Sequence, residues 1–213
     1  MAQRPVYTIS LNKPYCKCNT VDFEYNPGFA ISQMQKNIKA IHESYQRIKP
    51  DSKILEISSK SLQPLGVSLS AFNLMKYVPS IDKKISVENI FQGGKVFNSA
   101  GPFTDLYAET PKNAKRDIRL RENGALKCFY FEGNTYPIYP KTAFYDWIYI
   151  NALKENEDLA RELLEYDSFT DIAFNPAKSI NCQARAAAVF VGLAKSGELW
   201  RTDCFEKFVE IYN

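Results

Sequence analysis

Apolar and polar residues alternate in two short segments near the start of the chain, at residues 5–9 and 21–25. A period of two is typical of strands that bury one face, so both segments are predicted to be strands of a small sheet. The second segment runs into the turn sequence Asn-Pro-Gly, which ends it. A further short apolar run at residues 54–57 predicts another strand.

Apolar positions spaced three to four residues apart predict helices over much of the remaining chain. Residues 32–47 show this spacing and are followed by Pro50, which stops a helix. A second helix is predicted at residues 86–97, where Ser86 is placed to cap the first turn. The other predicted helices occupy residues 111–122, 143–153, 157–165, 180–195 and 203–212.

The segments without a helical period are predicted to be turns or strands. Residues 129–131 and 136–138 flank the sequence Glu-Gly-Asn-Thr, which predicts a hairpin. Residues 65–73 and 171–174 are each predicted to be a strand or a turn, and the first of them is rich in the small polar groups that line pockets. The predicted fold class is therefore α+β, predominantly helical, with a minor β component.

Length and composition predict one compact domain. A chain of 213 residues that is 45% hydrophobic can bury roughly two-thirds of its unfolded surface in one core. We expect a cytoplasmic protein, because the sequence has neither a stretch of about 18 apolar residues nor a signal peptide. The five cysteines form an odd set without a Cys-x-x-Cys pair, so neither a disulfide nor a zinc site is expected.

Charge and histidine content narrow the possible chemistry. The net charge of +3 is compatible with a nucleic acid or a phosphate-bearing ligand but selects neither. His42 is the only histidine, and its place in the predicted helix 32–47 favours a structural or solvated role. Chemistry that depends on several histidines is thereby disfavoured, and we expect any reaction to depend on carboxylates.

Glu88, Gln92 and Lys95 are spaced so that they would lie along one stripe of the predicted helix 86–97. Glu88 falls in the first turn, where the helix dipole favours an ionised carboxylate. Such an anion would stabilise the positive charge that develops on a sugar ring during glycosidic cleavage. The spacing alone, however, favours a solvated ladder of polar side chains on the helix surface.

A second candidate carboxylate, Asp171, stands in a turn-rich stretch between aromatic residues, whose packing could desolvate it. Aspartates of this kind more often stabilise a turn. Asn181, Gln183 and Arg185 begin the predicted helix 180–195, and a helix N-terminus can accept phosphate oxygens. A plain buried helix explains the alanines that follow equally well.

Basic and aromatic segments supply further candidates. The lysines and arginines of residues 112–121 could hold a pyrophosphate or a DNA strand, and a solvated helix face explains them equally well. Trp147 could stack on a base. It shares one predicted helix face with Phe144 and Ile148, which favours a place in the core.

The order and spacing of these pieces resemble the NADAR family, in particular the branch associated with DarT-type toxins that ADP-ribosylate guanine in DNA. Residues 69–73, Leu-Ser-Ala-Phe-Asn, are similar to the family's Leu-Ser-Asn-Phe pocket motif. Residues 87–95 are similar to its central Glu-x-x-x-Gln-x-x-Lys helix, and residues 111–119 to its Pro-x-x-Ala segment. Residues 163–193 occupy the place of its Leu-Leu, Asp-x-x-Trp-Gly and closing helix.

The sequence departs from compact members of the family at two places. Asn73 follows Phe72 where the family has the asparagine before the phenylalanine. Phe174 and Asn175 stand in the place of Trp-Gly. The resemblance covers residues 65–195, and the toxin-associated branch extends it over most of the chain.

The resemblance implies a single NADAR domain, with a catalytic core at residues 65–213 and an N-terminal extension at residues 1–64 packed on that core. It implies an antitoxin that acts as an N-glycosidase, hydrolysing the bond between ADP-ribose and guanine in DNA without a metal or cofactor. The implied partners are ADP-ribosylated DNA, single-stranded or frayed, the product ADP-ribose and a cognate DarT-type toxin, with no membrane. Two alternatives stay open: a non-catalytic sensor of ADP-ribose or NAD, and a protein that simply occludes the toxin.

The resemblance also implies roles for particular residues. Glu88 would lie nearest the anomeric carbon, and Asp171 would be a second essential carboxylate. The remaining implied site residues are ligand-binding: Ser70, Phe72, Asn73, Gln92, Lys95, Lys115, Arg116, Arg119, Trp147, Asn181, Gln183 and Arg185.

Overall fold

The computed structural model describes residues 2–177 and 179–213, which form an α+β fold. The strands are β1 (Ala2–Ile9), β2 (Cys16–Phe23), β3 (Ile54–Glu56), β4 (Met75–Val78), β5 (Lys83–Ser86), β6 (Lys95–Phe97), β7 (Leu126–Phe131), β8 (Asn134–Tyr136) and β9 (Ser168–Thr170). The helices are α1 (Ile31–Ile48), α2 (Pro64–Ser68), α3 (Val87–Gly93), α4 (Pro111–Arg116), α5 (Arg119–Glu122), α6 (Ala143–Lys154), α7 (Glu157–Leu163), α8 (Gln183–Lys195) and α9 (Phe205–Val209). Across these ranges no helix is both long and apolar enough to cross a membrane.

The largest sheet brings distant parts of the chain together in the order β2-β1-β9-β3. β1 is antiparallel to β2 and to β9, whereas β3 and β9 are parallel, with Glu56 opposite Thr170. Ser58 and Asp171, which follow these two parallel strands, are therefore at the same edge of the sheet, the carboxyl edge where ligands bind in many α/β folds. Strands from residues 1–64 thus share a sheet with β9 of residues 65–213.

Helices cover both faces of this sheet. Val6 and Ile54 pack with Ile41 and Tyr45 of α1 on one face. Their neighbours on the strands belong to the main core, in which α6 and α8 are the buried helices. Alternation along each strand produces these two layers, because successive side chains point to opposite faces.

Close backbone contact holds α8 against the first hairpin. A Cβ atom built on Gly192 would lie 2.2 Å from the carbonyl oxygen of Tyr15, in the connection between β1 and β2. Only glycine allows this approach. Ala188, which lies one turn earlier and is fully buried, keeps the same helix face narrow.

The predicted helix 86–97 is wrong in its second half. The helix is capped by Ser86, whose Oγ accepts a hydrogen bond from the backbone N–H of Asn89 at 3.1 Å, but it ends at Gly93. Residues 95–97 form β6 and pair with β7 instead. The Gly-Gly pair explains the early end, because glycine weakens a helix and permits the tight packing seen there: a Cβ on Gly93 would meet the Tyr107 ring at 2.6 Å.

Other predicted boundaries shift for local reasons. The predicted helix 111–122 breaks at Asp117, whose Oδ1 accepts the backbone N–H of Arg119 at 2.9 Å. The predicted helix 180–195 begins only at Gln183. Residues 64–68 are helical, and the expected turn follows them. The β4–β5 hairpin was not predicted, and the predicted helix 203–212 is α9 flanked by 3₁₀ turns.

Candidate active site

A cavity of about 430 Å³ opens between α3, the start of α6 and the carboxyl edge of the β3–β9 pair. Its volume falls in the range of about 300–1,000 Å³ that is typical of small-molecule sites. Both candidate carboxylates line it. So do seven of the predicted ligand-binding residues, which come from four separate segments of the chain: Ser70, Phe72, Gln92, Lys95, Lys115, Asn181 and Gln183.

Glu88 and Gln92 lie on the face of α3 that borders the cavity, and they are only 4% and 5% exposed. The amide of Gln92 donates to Oε1 of Glu88 at 2.8 Å, and its oxygen accepts from Nζ of Lys95 at 2.6 Å. This orientation satisfies a carboxylate acceptor on one side and an ammonium donor on the other. The three residues therefore form a hydrogen-bonded row in which Glu88 and Gln92 are buried and Lys95 is half-buried, not the solvated ladder that spacing alone favoured.

Two cations accompany Glu88. Lys115 of α4 places its Nζ 3.5 Å from Oε1 of Glu88, while its side chain is still more than half exposed. Lys95 lies 4.7 Å from the ring centroid of Phe91, and burial lowers its pKa to about 8, with a smaller contribution from Lys115 and an opposing one from Glu88. The site thus combines one buried anion with cations that can approach phosphate oxygens.

Asp171 is the first residue after β9 and lines the cavity. Burial and, to a lesser degree, the nearby carboxylate of Glu56 raise the pKa of its carboxyl to about 8, against opposing hydrogen bonds from the backbone. One of these comes from the N–H of Ala173, 3.0 Å from Oδ1. Near neutral pH the group is therefore a carboxylic acid that can donate a proton.

Ser70 and Gln183 border the cavity in different ways. The Ser70 side chain is 2% exposed, and among the described residues its Oγ has no hydrogen-bond partner. Buried polar groups are usually paired, so this hydroxyl is available to a ligand. Gln183 is already engaged, because it accepts from the N–H of Ala71 and donates to the carbonyl of Ile57, both at 2.7 Å. Gln183 thereby holds together the backbone of Ala71, which is next to Ser70, and the backbone of Ile57.

Aromatic rings form one side of the cavity. Phe91, Phe129, Phe144 and Tyr145 line it and contact one another, with ring centroids separated by 4.6 to 5.3 Å. Phe174, which stands where the family has tryptophan, also lines the cavity and is buried. In the sequence these residues resemble core positions, and no local signal distinguishes a ring that faces a cavity from one that faces the core.

Trp147 and Arg185 lie outside the cavity lining. The indole N–H of Trp147 donates to the carbonyl of Thr202 at 2.9 Å, and the ring packs on aromatic side chains of the core. Arg185 pairs with the fully buried carboxylate of Asp146 and donates to Oγ1 of Thr142 at 3.0 Å. Arg185 thus supports the wall through Thr142, which does line the cavity.

Three further predicted residues lie away from the cavity lining. Arg119 is held by Asp105 and Asp117 at 2.6 and 2.9 Å, so its guanidinium is already neutralised. Asn73 is exposed and donates to the carbonyl of Val67 at 2.8 Å, which closes the turn after α2. Arg116 is exposed at the end of α4.

His42 is less exposed than the sequence suggested, because its side chain turns toward the sheet. Its Nε2 lies 2.8 Å from Oγ1 of Thr170, and burial lowers its pKa to about 4. Within residues 2–177 and 179–213, no group of three or more histidine, cysteine, aspartate or glutamate side chains is arranged to hold a metal ion.

Several polar residues of the site were not assigned from the sequence. Ser58 and Ser59 after β3, and Lys141 and Thr142 before α6, line the cavity. Glu56 lies behind it. Short polar segments next to strand and helix ends are common in any protein, so only their meeting in three dimensions identifies them.

The chain matches one protein family over nearly its whole length. A family model described as "DarT1-associated NADAR antitoxin" aligns with residues 2–213. No individual curated protein matches the sequence.

Proposed function

Because the chain belongs to the family of DarT1-associated NADAR antitoxins, we propose that it is an N-glycosidase that removes ADP-ribose from guanine bases of DNA. The family and the toxin-associated branch agree with the resemblance of the sequence motifs. The activity itself, its substrate and the cytoplasmic location are part of the proposal.

The observation that carries the proposal is the buried carboxylate of Glu88 inside a cavity that also contains Lys95 and Lys115. An uncharged ligand would give no reason to bury a carboxylate beside two cations, since a buried ion loses hydration. ADP-ribose carries one group that suits the cations and another that suits the carboxylate. Its pyrophosphate needs cations, and its ribose carries positive charge when the glycosidic bond breaks.

In the proposed reaction the bond between ribose C1 and the guanine nitrogen breaks, and its electron pair stays on the nitrogen. Glu88 stabilises the resulting oxocarbenium-like charge across a short distance in a site of low dielectric. Gln92 keeps the carboxylate in place. Water then adds to C1, and free ADP-ribose and repaired guanine are released.

The cavity also limits the form of the DNA. A volume of about 430 Å³ accepts a nucleotide-sized group but not a base pair within a duplex. A stacked modified base would have to leave the helix first, at a cost of a few kcal/mol. Single-stranded or frayed DNA avoids this cost, and we therefore propose it as the preferred substrate.

The test is incubation of the purified protein with an oligonucleotide that carries ADP-ribosyl guanine, with loss of the adduct read by mass. Glu88→Gln keeps the shape of the side chain and removes its charge, so we expect turnover to fall by about a hundredfold or more while ADP-ribose still binds. Glu122→Gln, on the exposed face of α5, is the matched control and should cleave like the wild type. Equal cleavage by Glu88→Gln would contradict the assigned role.

Loss of the adduct and binding of ADP-ribose, measured together, separate the other two functions. A sensor binds ADP-ribose but leaves the adduct intact in the wild type. A protein that only occludes the toxin neither cleaves nor binds, and it leaves modified DNA unchanged once the toxin has been removed.

A further inference from the structure

Behind the cavity wall, a chain of hydrogen bonds joins α1 to the β3–β9 pair. Glu56 and Thr170 face each other in the parallel register and are 2% and 1% exposed. Oγ1 of Thr170 donates to Oε2 of Glu56 at 2.6 Å, and Nε2 of His42 lies 2.8 Å from Oγ1 of Thr170. A hydroxyl has one hydrogen to donate, so His42 is the donor in the second bond and carries its proton on Nε2.

Glu56 also holds the chain on the other side of Asp171. Its Oε1 accepts a hydrogen bond from the backbone N–H of Ile172 at 2.8 Å. One carboxylate therefore binds the residue before Asp171 through a side chain and the residue after it through the backbone. This clamp fixes the position at which the Asp171 side chain meets the cavity.

The two carboxyl groups are close enough to affect each other's protonation. Burial raises the pKa of both, and two neighbouring carboxylates cannot both ionise cheaply in a buried site. Glu56 receives hydrogen bonds from Thr170, Ile172 and Ser58, all of which favour its ionised form. The negative charge therefore stays on Glu56, and the proton stays on Asp171.

The other groups around Asp171 do not move the charge from Glu56 or the proton from Asp171. Tyr145 and Tyr149 of α6 and Cys182 before α8 have pKa values raised by burial and, to a lesser degree, by Asp171, so they stay uncharged. Lys115 of α4 is the cation that favours ionised Asp171, but its effect is smaller than those of burial and of Glu56. His42 is neutral near pH 7, because its pKa is lowered to about 4.

We propose that Glu56, held by Thr170 and His42, is a positioning residue that fixes the Asp171 carboxyl at the cavity wall and retains the proton that Asp171 gives to the departing guanine. This inference rests on the proposed glycosidase function. As the C1–N bond breaks, the guanine nitrogen keeps the electron pair and takes the proton of Asp171. Water gives its hydroxyl to C1 and its remaining proton to Glu88, and exchange with solvent restores both carboxyl groups.

The pH profile of cleavage tests the role of Glu56. Glu56→Gln removes the charge beside Asp171, so Asp171 should lose its proton at lower pH. We expect the alkaline limb of the kcat profile to move down by about one pH unit or more, with KM changed less than kcat. A merely structural role would lower kcat by the same factor at every pH, and that result would overturn the proposal. Glu43→Gln, exposed on α1 one residue from His42, is the matched control.

Thr170 provides a second pair of variants in case Glu56→Gln does not fold. Thr170→Val removes the hydroxyl that donates to Glu56, and we expect the alkaline limb of its kcat profile to move down as well. Thr170→Ser keeps the hydroxyl and should have the wild-type profile. A profile that is identical in both variants contradicts the proposal.

A measurement without turnover separates this inference from the proposed function. Carbon NMR titration of the Asp171 carboxyl should show a lower pKa in Glu56→Gln than in the wild type. Absence of cleavage by the wild type would reject the glycosidase function alone. Equal titration of Asp171 in the two proteins would reject the role of Glu56, whether or not DNA is cleaved.

Discussion

At the scale of single residues, the buried hydroxyl of Ser70 is expected to affect the stability of the free protein and its affinity for a ligand in opposite ways. A buried polar group without a partner costs about 1–3 kcal/mol in the free protein. The Oγ of Ser70 meets this description among the described residues, and it borders the cavity. The unpaired hydroxyl therefore destabilises the free protein, and a ligand that forms a hydrogen bond with it would remove this destabilisation.

Ser70→Ala should change stability and affinity in opposite directions. The free protein should keep or slightly raise its melting temperature, because an unpaired buried hydroxyl is removed. ADP-ribose should bind about tenfold more weakly, which corresponds to the loss of one hydrogen bond. Thermal unfolding and calorimetric titration measure the two quantities, and Ser99→Ala in an exposed turn is the control. Unchanged affinity would show that Ser70 does not contact the ligand.

At the scale of elements, the positions of helices and strands could be predicted from the sequence better than the residues at which they begin and end. The α1 helix, the first two strands and the β7–β8 hairpin follow from periodicity and turn residues, because each of them buries one continuous face. The second half of the predicted helix 86–97 becomes β6, since pairing with β7 and contact with Tyr107 outweigh the apolar spacing. Tertiary contacts of this kind leave no local trace.

The candidate site shows the same division between local and tertiary information. Motif order identified Glu88, Gln92 and Lys95, which lie within one short segment whose residues meet by local geometry. It did not identify Glu56, because the importance of this residue depends on its register with Thr170, more than a hundred residues away. The ring of Trp147 was a candidate for stacking on a base, but it packs against the core, as its position on one helix face with Phe144 and Ile148 had indicated.

The contact between α1 and the sheet predicts how stability depends on pH. His42 has its pKa lowered from 6.5 to about 4 by burial, so the folded protein binds fewer protons than the unfolded chain in this interval. The contribution of His42 to stability is complete above about pH 6.5 and is lost as the pH falls toward 4.

His42→Gln should therefore flatten the acid side of the stability curve. We expect urea unfolding to show that the wild type loses more free energy of unfolding than the variant between about pH 6.5 and 4.5. Comparing the two proteins isolates His42 from the buried carboxyl groups, whose raised pKa values act in the opposite direction. Parallel curves would mean that His42 titrates equally in the folded and unfolded states.

At the scale of the whole molecule, residues 1–64 and residues 65–213 contribute strands to one sheet. β9 lies between β1 and β3, so both of its neighbours in the sheet come from residues 1–64. The backbone groups that pair β9 with them would be left without partners in a fragment of residues 65–213, and Phe169 would lose its cover. The N-terminal strands are thus required for the segment that carries Asp171.

We accordingly expect the fragment of residues 65–213 to be unfolded or molten, and inactive, even though it contains both Glu88 and Asp171. Circular dichroism in the near ultraviolet, with amide exchange at residues 168–172, reports whether β9 forms. Addition of residues 1–64 as a separate chain is the informative control, because strand pairing in trans would restore order at β9. A folded fragment that still cleaves the modified oligonucleotide would show that residues 1–64 are an accessory layer, and that the position of Asp171 is set by residues 65–213 alone.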